Sequence, residues 1–383
     1  MSISHEISSY LKHQDYSLVV RRMLDLSLDV QDPALMKQVI QWSHDYHQAE
    51  KQQQGSGATA LFLQEADQLL GKLQSVAGSQ PMESVRLIEA EQLSKTYDSG
   101  NFSLKPLSLK IDSGQIIGIV GENGNGKTTL LRCLAGQLAL SSGKVTYGLL
   151  NNPDLYKVRS YVAFIPQRIP RWYGLLKDNL HFSAAIAGLK GEENKLMVDF
   201  MLERLNLSSY ANLNWNQISS GYRTRFEIAR ILLQRPKLLI LDEPLANLDI
   251  NAQQTILTDL QFLTKSTHHP MGIILSSQQL HEVKKIADSV LFIKQGNSLF
   301  QTNTTSPDSP STIKYVLEIE TTASRESIIG LFENNDVQIQ FNGGYYTLSS
   351  VSLSCQDIVG KLINNKVPVA YFRDITHSTK RFF

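Results

Sequence analysis

Cysteine is nearly absent: Cys133 and Cys355 are the only two in 383 residues, too few for a disulfide framework. An excess of one charge is missing as well. With 37 basic against 36 acidic side chains the formal net charge is +1, which argues against a surface built for nucleic acid. No run of about 18 apolar residues could span a bilayer, and MSISHEISSY lacks the basic stretch followed by an apolar one that opens a secretory signal. These absences predict a soluble globular chain of two or three domains in a reducing compartment, with inert thiols, meeting a membrane only through a partner.

What is present is punctuated by polar linkers. Residues 1–82 read as a helical region, because SLVVRRMLDLSLDV and ALFLQEADQLLGKL repeat apolar residues at i, i+3 and i+4. QQQGSG (52–57) reads as a loop between them. Their apolar stripes face each other in a small bundle or form a docking surface for another protein. AGSQPMES (77–84) and TNTTSPDSPST (302–312) read as linkers by their Gly, Ser, Thr and Pro content. Between them, residues 86–301 alternate strand-like and helix-like runs, the mark of an α/β core. From 313 to 383 come YVLEIE, the helix-like SRESIIGLFENN, VQIQFNGGYYTLSS with a turn at Asn342 to Gly344, and QDIVGKLINN, the order of a small α+β appendage.

The chemistry begins at GENGNGKTT (121–129), which fits the spacing G-x-x-x-x-G-K-[ST]. Taken alone this is a Gly-rich turn. Its flanks say more: IIGIV (116–120) is a β-branched run of strand length, and TTLLRCLAGQL has helical periodicity. A strand, Gly loop and helix in that order wrap backbone N–H groups around phosphates, with an anion-binding helix N-terminus next in line. Gly121, Gly124 and Gly126 would let the backbone approach, Lys127 would reach the β- and γ-phosphates, and Thr128 would ligate Mg²⁺. Asn123 and Thr129 complete the candidate nucleotide-binding loop.

LLILDEP (238–244) reads as a buried strand ending in two carboxylates, where open α/β sheets bind ligands. Asp242 would hold Mg²⁺ and Glu243 would orient or deprotonate an attacking water. Ser219 and Ser220, ahead of the apolar-periodic GYRTRFEIARILLQRP, could equally be a helix cap.

The order GENGNGKTT, FIPQ (164–167), ISSGY (218–222), LLILDEP and LANLD (245–249) resembles the nucleotide-binding domain of the ATP-binding cassette (ABC) family across residues 86–301. The resemblance implies a P-loop NTPase fold with ATP and Mg²⁺ as cofactors. Tyr97, 24 residues before Gly121, matches the aromatic that stacks on adenine; a tyrosine packed at a strand edge for its own sake is the alternative. Gln167 matches the glutamine that touches Mg²⁺ and senses the transmembrane partner. Ser219 and Gly221 match the signature that clasps the γ-phosphate held by a second subunit, and Asp249 the aspartate that links the two sites. The implied assembly is a homodimer, or a pair with a second ABC subunit, closed around two ATP. It would be cytoplasmic and held to the inner face of the cell membrane by a permease chain, with no nucleic acid as partner.

Two departures stand out. Where the family carries a histidine that contacts the γ-phosphate, this chain has Gln278, in IILSSQQLHEV, and His281 lies three residues on, at the surface rather than as a substitute. Gln278 still donates through its amide but carries no charge, so Glu243 and Gln278 are the catalytic candidates of a slow hydrolase. Ser220 and Tyr222 replace the usual signature glycine and glutamine. His268 and His269 lack the further ligands of a metal site and read as a solvated loop. RDITHSTKRFF (373–383) resembles the tail of ATPases serving two-chain exporters, which implies export; a soluble ABC switch and a slow regulatory subunit are the alternatives.

Overall fold

The computed structural model describes residues 3–51, 56–76, 84–98, 102–150, 154–266, 270–303, 315–332, 336–342 and 344–376. The linker at 77–83, most of the 302–312 linker, His268 and His269, Gly343 and the tail from 377 lie outside the described residues.

The N-terminal region is helical: α1 (Ile3–Lys12), α2 (Tyr16–Val30), α3 (Pro33–Lys51) and α4 (Ser56–Val76). Ser56 and Gly57, read from sequence as loop, open α4, since tertiary context overrides the weak helix propensity of single residues. The apolar stripes do meet one another. They also merge into one core with the cassette, where Val39, Trp42 and Leu73 belong to the same buried cluster as Phe200, Met201 and Phe226. The bundle is therefore not closed on itself.

The next segment runs β1 (Arg86–Thr96), β2 (Ser103–Asp112), β3 (Ile116–Val120), α5 (Lys127–Leu134), β4 (Ser142–Tyr147), α6 (Leu155–Tyr161), β5 (Val162–Ile165), α7 (Leu176–Ile186) and α8 (Gly191–Arg204). It continues with α9 (Ser220–Leu232), β6 (Leu238–Leu241), α10 (Ile250–Thr264), β7 (Gly272–Ser277), α11 (Leu280–Lys284), β8 (Ser289–Lys294) and β9 (Asn297–Asn303). The central sheet has the order β5-β6-β7-β3-β8-β9, parallel except for the β8/β9 pair. A smaller antiparallel sheet, β2-β1-β4, lies beside it. Strands β3, β6 and β7 are apolar and buried on both faces, as a covered parallel sheet requires.

Register fixes the site. Val120 pairs with Ser277, and Leu241 with Leu275, so the loops leaving β3, β6 and β7 emerge side by side at the carboxyl end of the sheet, where α/β folds bind ligands.

The C-terminal part forms β10 (Tyr315–Thr321), α12 (Arg325–Gly330), β11 (Gln338–Asn342), β12 (Tyr345–Ser350), α13 (Cys355–Asn364) and β13 (Val369–Asp374). Its antiparallel sheet has the order β11-β12-β10-β13, a split βαβ arrangement. Ser324 and Ser354 cap α12 and α13 by accepting backbone N–H bonds. The helix expected over SRESIIGLFENN is real but ends at Gly330.

Candidate functional site

Gly126 has φ +104°, and a Cβ there would come within 2.5 Å of the Phe102 ring; one at Gly121 would come within 2.4 Å of the Ile293 carbonyl oxygen. Only glycine satisfies both positions, so the loop follows the backbone path expected of a phosphate cradle. Asn125, which the motif leaves unspecified, pins it: its side-chain oxygen accepts from Gln295 N (2.9 Å) and its carbonyl from Gly296 N (3.1 Å). Asn123 and Gly124 on the loop and Thr128 in the first turn of α5 face solvent.

Lys127 is buried at the start of α5 and donates to the carbonyls of Gly121 (2.7 Å) and Glu122 (3.2 Å) while pairing with Glu243 Oε1 at 2.9 Å. The other oxygen of Glu243 accepts from Gln167 Nε2 and Gln278 Nε2, each at 2.9 Å. Three elements, leaving β3, β5 and β7, thus converge on one carboxylate at the end of β6. Glu243 itself sits at φ +48°, left-handed backbone that a side chain of this kind adopts at a cost and that marks functional turns.

Asp242, also buried, accepts from Thr128 Oγ1 (2.6 Å) and Ser276 Oγ (2.8 Å), and the Glu243 N–H donates to Ser276 Oγ (2.9 Å). Ser276 therefore ties both carboxylate positions to β7. The Thr128 hydroxyl, the Asp242 carboxylate and the amide oxygen of Gln167 are hard oxygen donors, and one carboxylate with few protein ligands is the habit of Mg²⁺ shared with phosphates. The residues present fit that ion.

Tyr97 is partly exposed at the end of β1, with its hydroxyl 3.3 Å from Thr129 Oγ1 and Lys95 Nζ 5.6 Å from its ring centroid. It stands beside the loop. Ser219 occupies the N-cap position of α9 without a side-chain cap bond, so the capping alternative is not what this side chain does. Ser220 Oγ reaches the Asn247 carbonyl at 3.5 Å, and Tyr222 packs on Tyr210 with ring centroids 3.9 Å apart and a 2.8 Å hydroxyl bond. The irregular signature residues are thus engaged within the fold. Asp249 caps α10, accepting from Ala252 N at 2.9 Å.

A cleft of about 990 Å³ opens in front of Glu243, bordered by Glu122, Asn247, Gln278 and His281, with Arg373 and Asp374 of β13 at its rim. Neither Ser219 nor Gly221 borders it among the described residues. His281 is exposed on α11 yet faces this cleft.

What the sequence left unread is Ser276 and Asn125. The paired serines of IILSS served only to place Gln278, and Asn125 is a variable position of its motif.

The parallel sheet, the glycine cradle ending in Lys127 and the Asp242/Glu243 pair at the strand end define a P-loop nucleoside triphosphatase. The family model described as ABC transporter matches residues 104–246. The chain is 30% identical over 229 residues to the phosphonates import ATP-binding protein PhnC of Treponema denticola, covering 56% of this chain and 88% of that one. It is 32% identical over 260 residues to the methionine import ATP-binding protein MetN of Geobacillus kaustophilus, covering 64% and 75%. Among solved structures, cbiO1 of Clostridium perfringens, part of the ABC transporter complex cbiONQ, matches with a TM-score of 0.53 at 27% identity over 57% of this chain and 89% of that one. The chain belongs to the ATP-binding proteins of the ABC transporter family and is an ATP hydrolase.

Lys127→Ala is expected to weaken ATP binding on the order of 10- to 100-fold, the worth of one charge-assisted contact. Titration with a fluorescent ATP analogue checks it.

Proposed function

We propose that two cassettes close around two ATP molecules and that hydrolysis, with Glu243 as base, drives a separate membrane permease. The observation that carries this is the convergence on Glu243. Lys127 holds Oε1 while Gln167 and Gln278 hold Oε2, and γ-phosphate oxygens compete with Glu243 for the same ammonium. When Lys127 turns to phosphate, Oε1 becomes a free acceptor on a carboxylate whose other oxygen stays fixed. A water there gives its proton to Glu243 as its oxygen attacks the γ-phosphorus and the bond to the β–γ bridging oxygen breaks. Thr128, Asp242 and Gln167 would hold Mg²⁺, which when bound would supply neutralisation of the phosphate charge.

Tyr97 is assigned to the adenine and Gly121, Asn123, Gly124, Gly126 and Thr129 to the phosphates. Ser219 and Gly221 are assigned to the nucleotide of the second subunit, and Asp249 to coupling across the pair. Closure from 1:99 to 99:1 takes about 5.5 kcal/mol of preference for the closed form, within reach of several charge-assisted bonds at roughly 1.5–3 kcal/mol each.

No helix among the described residues is long and apolar enough to cross a membrane, so the membrane-spanning part is assigned to another chain, with this subunit on the cytoplasmic face. The expectation of export rests on the tail alone. Both curated relatives named above are import proteins, and import is the direction they favour.

Gln278→His is expected to raise turnover about tenfold, the rate equivalent of exchanging a neutral for a charged donor; unchanged kcat would mean that this donor does not act on the transition state. The test of the whole reading is affinity purification of Glu243→Gln chain with Mg-ATP from detergent-solubilised membranes of its own cells. A stoichiometric multispanning partner supports transport, and recovery only from the soluble fraction without one overturns it.

A further inference from the structure

Between the N-terminal helices and the cassette lies a second cavity of about 430 Å³. Leu28 of α2 and Met36 of α3 form one wall; Leu196, Met197 and Met201 of α8 and Phe262 of α10 form the other. Its size is that of a small-molecule site. It opens to solvent where Glu193 and Arg235 are exposed, and its thioether side chains make a lining that adapts to an occupant.

The polar groups on its wall are unequal. Arg204 is 4% exposed; its Nε bonds Asp25 Oδ1 at 2.6 Å, and its Nη1 is buried without a hydrogen-bond partner among the described residues. Asp25 is already shared, since its other oxygen takes Arg22 Nη1 at 2.8 Å, while Arg22 Nε bonds Glu6, which in turn pairs with Lys265. Along this chain three cations, Arg204, Arg22 and Lys265, meet two carboxylates, Asp25 and Glu6. Of the remaining charged groups on the wall, Asp29 accepts from Ser266 at 2.7 Å, Glu193 and Arg235 form an exposed pair at 3.9 Å, and Lys237 lies at the junction of α9 and β6. A buried guanidinium with an unmet N–H is costly in apolar surroundings. Arg204 itself lines the cavity, so an acceptor entering there would meet its guanidinium.

We propose that this cavity binds a small amphiphilic carboxylate, its alkyl or aryl part among the methionines and its carboxylate on Arg204. The site is separate from the nucleotide cleft and joins a part of the chain outside the cassette to helices within it. Its ligand is recognised by one charge and a hydrophobic body, not by shape of a particular head group.

Isothermal titration of octanoate into the full-length chain tests this. Saturable binding of one molecule per chain is expected, with octan-1-ol, the same tail without the carboxylate, at least about tenfold weaker. Met197→Trp, which fills the cavity from the α8 side, should abolish octanoate binding while fluorescent ATP still binds. Met36→Trp fills it from the opposite wall and serves where the first variant does not fold. Absence of saturable binding by wild-type chain overturns the site. Equal affinity for octanoate and octanol overturns the assigned chemistry, and octanoate binding undiminished in a folded tryptophan variant places it elsewhere.

Discussion

Glu243→Gln lowers turnover at least about 100-fold, the contribution of a positioned general base, and leaves ATP bound as tightly as before or more so. The second half follows from the pairing with Lys127. In the native chain an ATP γ-phosphate must draw the ammonium from a buried carboxylate 2.9 Å away; the glutamine amide offers a weaker competitor, so the ammonium is easier to capture. The amide oxygen can still accept from Gln167 or Gln278, which keeps the loop in place. Steady-state phosphate release and equilibrium binding of a fluorescent ATP analogue measure the two halves separately. Residual turnover within about tenfold of wild type would put the base elsewhere, with His281 the first group to test.

The second large effect is on stability. Glu203 of α8, on the cassette side, is buried and accepts from Ser43 Oγ (3.0 Å), His44 Nδ1 (3.2 Å) and His47 Nδ1 (3.2 Å) of α3 and from Ser208 Oγ (2.6 Å). Burial pushes its carboxyl up; the hydrogen bonds from His47, Ser208, His44 and Ser43 outweigh that and bring it down to about 2. Glu203→Ala leaves those donors facing a cavity and is expected to cost about 3–5 kcal/mol, read as a lower urea midpoint and faster proteolysis of the N-terminal helices.

Because the folded carboxyl titrates below its ordinary value near 4.5, its contribution is fully present above that pH and is lost as pH falls toward 2. The amount is on the order of 3 kcal/mol. A Glu203→Gln chain should show a flatter loss of stability over this acid window than wild type. Parallel acid limbs in the two chains would show that Glu203 does not carry the linkage.

The legible parts of this molecule are those whose signals are local. The glycine loop announces itself because strand, turn and helix are contiguous from Ile116 to Leu134, and LLILDEP because a continuous apolar strand ending in carboxylates has few other uses. The assembly of Gln167, Gln278 and Lys127 around Glu243 is a different matter. Those residues are separated by 76, 35 and 116 positions from it, and only the sheet order brings them together.

The N-terminal region was legible as helix and illegible as interface. Periodicity reports which face of a helix is apolar, not what covers it. The polar groups that decide the docking, Arg22, Asp25 and Glu203, are buried exceptions within apolar stripes. His44 and His47, three apart on one face of α3, were the available sign that something acidic lay opposite.

Asp259 of α10 pairs with Arg21 of α2 at 3.1 Å and with Arg225 of α9 at 3.6 Å. Helix α9 begins at the signature and α10 at Asp249, so one buried carboxylate ties together the two helices that carry the residues proposed to meet a second subunit. From Asp259 back to Asp249 at its start, α10 runs 10 residues, an arm of about 15 Å at 1.5 Å per residue. Arg21 brings α2 of the N-terminal region to the same carboxylate, so three helices far apart along the chain share one buried cluster of ion pairs.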